Sequence, residues 1–233
     1  MKKKLALLLV MTALALTACG APKQDADTKQ PESSVVESTE DTSSSAEDTE
    51  VVPEVQAYVQ GTYTDNKFES AYVGYTFTAP EGCTFLSQDE LALENGIAED
   101  VIAQGADALA EAYAQLDNII EFNASTESGA NVYMQVTQML TYGMTLEEYT
   151  QLIIAELSGM EDMVCTVVEE TQVVDLAGKQ CSKTLVSIEM EGFKLYQQYY
   201  FFLEPTYTGT ITVTYADGME AERDALVAGF AAN

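Results

Sequence analysis

Histidine and tryptophan are absent from these 233 residues, and only ten lysines and arginines stand against 38 aspartates and glutamates. Without histidine the chain lacks the commonest general base and the usual nitrogen ligand for metals. Ser-His-Asp and Cys-His nucleophile systems are excluded for the same reason. A formal charge of -28 repels phosphate backbones, so nucleic acid is not an expected partner. The sequence holds no Gly-x-Ser-x-Gly elbow, phosphate-binding loop, dinucleotide fingerprint, Cys-x-x-Cys pair or EF-hand spacing. No cofactor and no metal site are expected. Gly178-Lys179 lacks the glycine upstream and the Ser/Thr downstream that a phosphate loop requires, and reads as a turn beside a solvated lysine.

What is present begins at the N-terminus. Met1-Lys2-Lys3-Lys4 is basic, and Leu5 to Leu16 is apolar or small apart from Thr12. That run is shorter than the about 20 residues a stable membrane span needs, so it reads as a signal-peptide core. Leu16-Thr17-Ala18-Cys19 follows directly and resembles the lipobox of bacterial lipoproteins. The resemblance implies a diacylglyceryl group on the Cys19 sulfur and cleavage after Ala18. Residues 1–18 are then the signal peptide, and the chain faces outside the cytoplasm with membrane lipid as its first partner. Each buried methylene contributes about 0.8 kcal/mol, so two or three acyl chains on Cys19 hold the protein to the membrane.

Residues 19–55 form a tether. From 21 to 55 there are ten acids, two lysines, six serines, four threonines, three prolines and no aromatic residue. Such a segment cannot bury enough apolar surface to offset its ordering entropy, and its carboxylates repel and extend it.

Residues 56–233 suit a single domain with its own core. Proline is missing between Pro80 and Pro205, the stretch expected to carry most of the regular structure. Tyr72–Thr78 and Cys83–Leu86 read as strands around a Pro80-Glu81-Gly82 turn. Ser87 to Glu90 and Thr145 to Glu148 have capping-box order, each opening a helix. A three- or four-residue recurrence of Ala98, Ile102, Gly105, Leu109, Ala112 and Leu116 predicts one longer helix. Leu146, Tyr149, Ile153, Leu157 and Met160 predict another. Asn118–Thr126 and Ala130–Met139 read as a hairpin. Met163–Leu176, Gln180–Met190, Phe193–Glu204 and Gly209–Tyr215 read as an antiparallel meander because their connections are short. Met219–Phe230 closes the chain as a helix. The sum is an α+β fold, a central and mostly antiparallel sheet flanked by helices. A two-lobed, hinged solute receptor is not expected, since the last four strands have no crossover helices between them.

Gly61, Phe68 to Phe77 with Gly74-Tyr75-Thr76-Phe77, Pro80-Glu81-Gly82, the aromatic strand Tyr196 to Phe202, and Thr210-Ile211-Thr212-Val213 before a closing helix together resemble Mog1/PsbP-like domains. Cys83 stands where that family commonly has tryptophan. The resemblance implies helices around a central antiparallel sheet. It implies no shared chemistry, since members mostly bind or assist other proteins.

Two further features bear on function. Cys165 and Cys181 are the pair expected if an internal disulfide forms, although their offsets from Gly178 are unequal; otherwise Cys83, Cys165 and Cys181 are small buried hydrophobes. Alternate side chains of the aromatic strand point to opposite faces. If helices cover both faces these are core residues; if one face is open, Tyr196, Tyr200 and Phe202 form an interaction patch. The expected function is a non-catalytic, lipid-anchored binding or envelope-assembly accessory. The alternative is a hydrolase of envelope or extracellular glycans built on two of the many carboxylates.

Overall fold

A computed structural model describes residues 57–159, 163–190 and 192–232. The leader 1–18, Cys19 and the tether to residue 55 lie outside the described residues, as does Met160.

The described residues build two antiparallel sheets flanked by helices, an α+β fold. The larger sheet has seven strands: β4 (Cys83–Phe85), β5 (Asn118–Thr126), β6 (Asn131–Gln138), β7 (Val164–Leu176), β8 (Lys179–Met190), β9 (Phe193–Glu204) and β10 (Tyr207–Tyr215), in the spatial order β4-β5-β6-β10-β9-β8-β7. The hairpin and the four-strand meander lie where their short connections put them. A second, four-stranded sheet adds β1 (Thr62–Thr64), β2 (Lys67–Ser70), β3 (Tyr75–Thr78) and β11 (Phe230–Ala232), in the order β1-β2-β3-β11. The strand expected over Tyr72–Thr78 is only β3, because Gly74 turns the chain at φ 77°. Phe230, expected to end the last helix, instead opens β11 and pairs with Phe77.

Both capping boxes form. Ser87 caps α1 (Gln88–Glu94) and Thr145 caps α4 (Leu146–Ser158), each with its glutamate reaching back to the cap N–H. The longer helix expected over 98–116 is two short ones, α2 (Glu99–Ile102) and α3 (Ala106–Tyr113). Gly105 divides them at φ 97°, a conformation with no place in a right-handed helix. The closing helix is α5 (Glu220–Ala228).

Two layers of apolar packing follow. The main core lies between the sheets, where Phe68, Phe77 and Phe230 meet Phe122, Met134, Ile211 and Val213. Phe77 stacks on Phe122 with ring centroids 4.9 Å apart. On the other face of the large sheet, Tyr149, Ile153 and Leu157 of α4 cover Val186, Tyr199 and Phe201. Strand β9 is therefore buried from both sides. This sends Gln198, Tyr200 and Phe202 into the main core side and Tyr199 and Phe201 under the helix, the period-two separation of a strand.

Candidate functional site

Strand β5 pairs with β6 in regular register except between Ile120 and Phe122, where Glu121 is the extra residue of a bulge. Ile119 and Phe122 enter the main core, while Ile120 faces Leu91 of α1 and Tyr133. The bulge leaves Glu121 2% exposed. Its Oε1 accepts a 3.0 Å hydrogen bond from Ser70 Oγ of β2. The backbone carbonyl of the same residue accepts from the Tyr63 hydroxyl at 2.8 Å.

Tyrosines close around this carboxyl. Tyr58 packs edge-on against Tyr72 at 5.4 Å and at a tilt against Tyr113 at 6.4 Å, and Tyr72 packs on Tyr207 at 4.9 Å. Burial pushes the Glu121 pKa up to about 7, with Ser70 and Tyr58 drawing it partly back. Burial likewise raises the phenols of Tyr58, Tyr63 and Tyr72, and the Glu121 carboxyl adds to each shift. The Tyr58 hydroxyl acts on the carboxyl electrostatically without making a geometric hydrogen bond to it. Glu121 Oε2, Tyr58 Oη and Tyr72 Oη have no partner among the described residues. A raised carboxyl pKa is what a general acid requires, but this one is sealed from any substrate. Glu94, half-buried on α1 and hydrogen-bonded to Asn123 Nδ2 at 3.2 Å, also has a raised pKa from burial.

Tyr200 and Phe202 are 5% and 2% exposed, so the open patch with Tyr196 does not exist; helix α4 and the second sheet cover both faces of β9. Tyr196 is half-buried and stacks on Tyr215 at 5.5 Å. Cys83, Cys165 and Cys181 are free thiols. Cys165 lies opposite Ile188 and Cys181 opposite Val174, so the two cysteines are seven positions apart along the hairpin. At roughly 3.4 Å per residue that is far beyond disulfide reach. Burial pushes the Cys83 and Cys181 thiols up to about 11, away from reactivity. Cys19 lies outside the described residues.

Neither the buried carboxyl nor the β7 edge is marked by a motif in the sequence. A lone glutamate inside Ile119-Ile120-Glu121-Phe122 was the available signal for the first. Val167-Val168 and Val173-Val174 around Glu169-Glu170 were the signal for the second. β7 ends the large sheet, and ten of its 13 residues are exposed, including Val164, Val167, Val168 and Val173. Among the described residues no three His, Cys, Asp or Glu side chains gather as a metal site, and no helix is long and apolar enough to cross a membrane. Hollows of about 350 Å³ occur beside Gln138 and Met139 and at the β8–β9 turn; neither is lined by Glu121.

No family model matches the sequence, and no curated protein matches it. Solved structures do resemble it. Cyanobacterial PsbP (CyanoP) from Synechocystis superposes with a TM-score of 0.45 at 10% identity, over 72% of this chain and 91% of that one. LpqN, involved in cell envelope biogenesis of Mycobacterium tuberculosis, gives 0.41 at 8% identity, over 67% of this chain and 82% of that one. A protein from Bacteroides thetaiotaomicron gives 0.39 at 12% identity, over 72% of this chain. The match spans about half that protein's length, 48%.

Proposed function

We propose that this chain is a non-catalytic lipoprotein, anchored through acylated Cys19 and facing outside the cytoplasm. Its single α+β domain, residues 56–233, binds another protein or supports an envelope assembly, and the acidic tether 19–55 holds that domain away from the lipid. The lipobox order supports the anchor, and the tether's composition supports the spacing. The binding half is carried by one observation, the long β7 edge with its four exposed valines. A glycan hydrolase would need two carboxylates about 5–9.5 Å apart around a cleft. The one carboxyl pushed near neutrality is walled in by Tyr58 and Tyr72 and gives a sugar no approach.

Two measurements test this. The parent should sediment with membranes, and Cys19→Ala should shift it to the soluble fraction; equal retention removes the anchor. The mature chain should show no turnover against a broad panel of glycan and peptide substrates. Turnover abolished by changing one acidic pair removes the non-catalytic reading.

A further inference from the structure

We propose that β7 accepts an extended, lysine- or arginine-bearing segment of another protein as an added strand along Gln172–Leu176. This rests on the reading of the domain as a protein-binding accessory and names the surface and the partner's chemistry.

One side of β7 is bonded to β8; among the described residues no strand lies on the other. Such an edge offers a row of backbone donors and acceptors. Natural edges are blunted by lysine, proline, short length or bulges. β4, at the opposite edge, is blunted by having only three residues. β7 has 13 residues and neither lysine nor proline. Its register with β8 shifts between Val167 and Gln172, which breaks the middle of the edge. From Gln172 to Leu176 it is regular again, opposite Lys183 to Lys179 residue for residue. This five-residue stretch is the part able to template a strand.

Charge chooses the occupant. β7 carries Glu169, Glu170 and Asp175 and no cation. Each of the five lysines and arginines beyond residue 55 is already ion-paired: Lys67 with Glu69, Lys179 with Glu204, Lys183 with Glu169, Lys194 with Glu189, and Arg223 with Asp224. A second copy would bring like-charged edges together. The chain's own tether, with ten acids and two lysines, meets the same repulsion. A cationic segment gains where these lose. Register defines its pattern: Val173 opposite Ser182 and Asp175 opposite Gln180 share one face of the sheet, two residues apart. The partner therefore presents an apolar residue opposite Val173 and a basic one two positions away, opposite Asp175.

The test uses the full mature chain and two synthetic ten-residue peptides. One alternates valine and lysine on a threonine background with this apolar-x-basic spacing; the other replaces each lysine by glutamate. The cationic peptide should bind at least tenfold more tightly, weaken as salt rises, and slow amide exchange within residues 172–176. Val173→Lys should lose at least tenfold in affinity without a change in Tm, and Asp175→Asn, which removes the charge but keeps an oxygen for the Gly178 N–H at 2.9 Å, should lose severalfold with Tm held. Leu93→Lys, on exposed α1 surface, should lose nothing. Equal binding of both peptides, protection confined to another region, or β7 protection that grows with protein concentration alone overturns the proposal. If a photo-crosslinker at position 93 captures a native envelope partner while one at 173 captures none, the edge is wrong and the accessory reading stands. Turnover in the substrate panel would instead sink the accessory reading, whatever the peptides do.

Discussion

Ser70 Oγ and Glu121 Oε1 meet at 3.0 Å across 51 residues of sequence, tying the small sheet to the bulge of the large one. Burial holds the Glu121 carboxyl protonated up to about pH 7 in the folded chain. In the unfolded chain it ionises near about 4.3. Between those values the unfolded state has shed its proton and the folded state has kept it. Stability from this group therefore falls as pH rises from about 4.5 to 7, then levels, by on the order of 3 kcal/mol. Glu121→Gln keeps a carbonyl for Ser70 and removes the titration. Urea melts at pH 5, 6, 7 and 8 should show the variant gaining on the parent as pH rises. Parallel pH profiles would show that Glu121 titrates no differently in the fold.

Ser70 does two jobs, since its Oγ also accepts the Val73 N–H at 3.1 Å. Ser70→Ala leaves that N–H and Glu121 each short of a partner. It should destabilise by about 1–3 kcal/mol at pH 5. Because the Ser70 bond lowers the carboxyl's pKa, its loss should also move the pH-dependent fall in stability upward. An unchanged midpoint of that fall would show that Ser70 does not tune Glu121.

How far these features can be read from sequence depends on the range of the interactions. The capping boxes at Ser87 and Thr145 are local hydrogen bonds between residues three apart, so four letters suffice. The β5–β6 hairpin and the meander are legible because short turns leave no other pairing. The second sheet is not legible, because β1, β2, β3 and β11 have three or four residues each and β11 comes from the far end of the chain. Helical recurrence from Ala98 to Leu116 runs straight through Gly105, and periodicity carries no term for its positive φ. The aromatic alternation of β9 is legible, but what covers each face is a tertiary fact. Phe202 is covered in part by Tyr75 of β3, more than a hundred residues away. Glu121 escapes for a similar reason: a one-residue bulge cancels the alternation that would assign it a face.

Gly209 and Phe202 form a second pair that tolerates little change. They lie opposite each other in β10 and β9, and a Cβ on Gly209 would sit 2.0 Å from the Phe202 ring. That ring is held in turn by Tyr75 at 5.7 Å and Tyr207 at 6.4 Å, so it cannot simply swing aside. Gly209→Ala should cost about 1–3 kcal/mol in chemical denaturation. Phe202→Leu made together with it should cost less than the sum of the two single changes, because the smaller side chain relieves the clash. Additive losses would place the strain elsewhere.

The thiols supply the last prediction, and it separates a stapled domain from one held by packing alone. Cys165 and Cys181 lie on neighbouring strands, which in a sequence reading makes them a natural couple. In the fold each is opposite a different residue, Ile188 and Val174, and seven positions of β8 separate the two. A bridge would demand that the β7–β8 register slip, turning the buried face of β8 outward. Cys181 is fully buried, with its thiol pushed up to about 11 by burial and by Asp175, while Cys83 and Cys165 are half-buried. Alkylation of the mature chain in denaturant without reductant should therefore label all three cysteines. In native buffer near neutral pH, Cys181 should react most slowly. Resistance of Cys165 and Cys181 to alkylation until a reductant is added would mean that a disulfide forms after all, and that the register described for β7 and β8 is wrong.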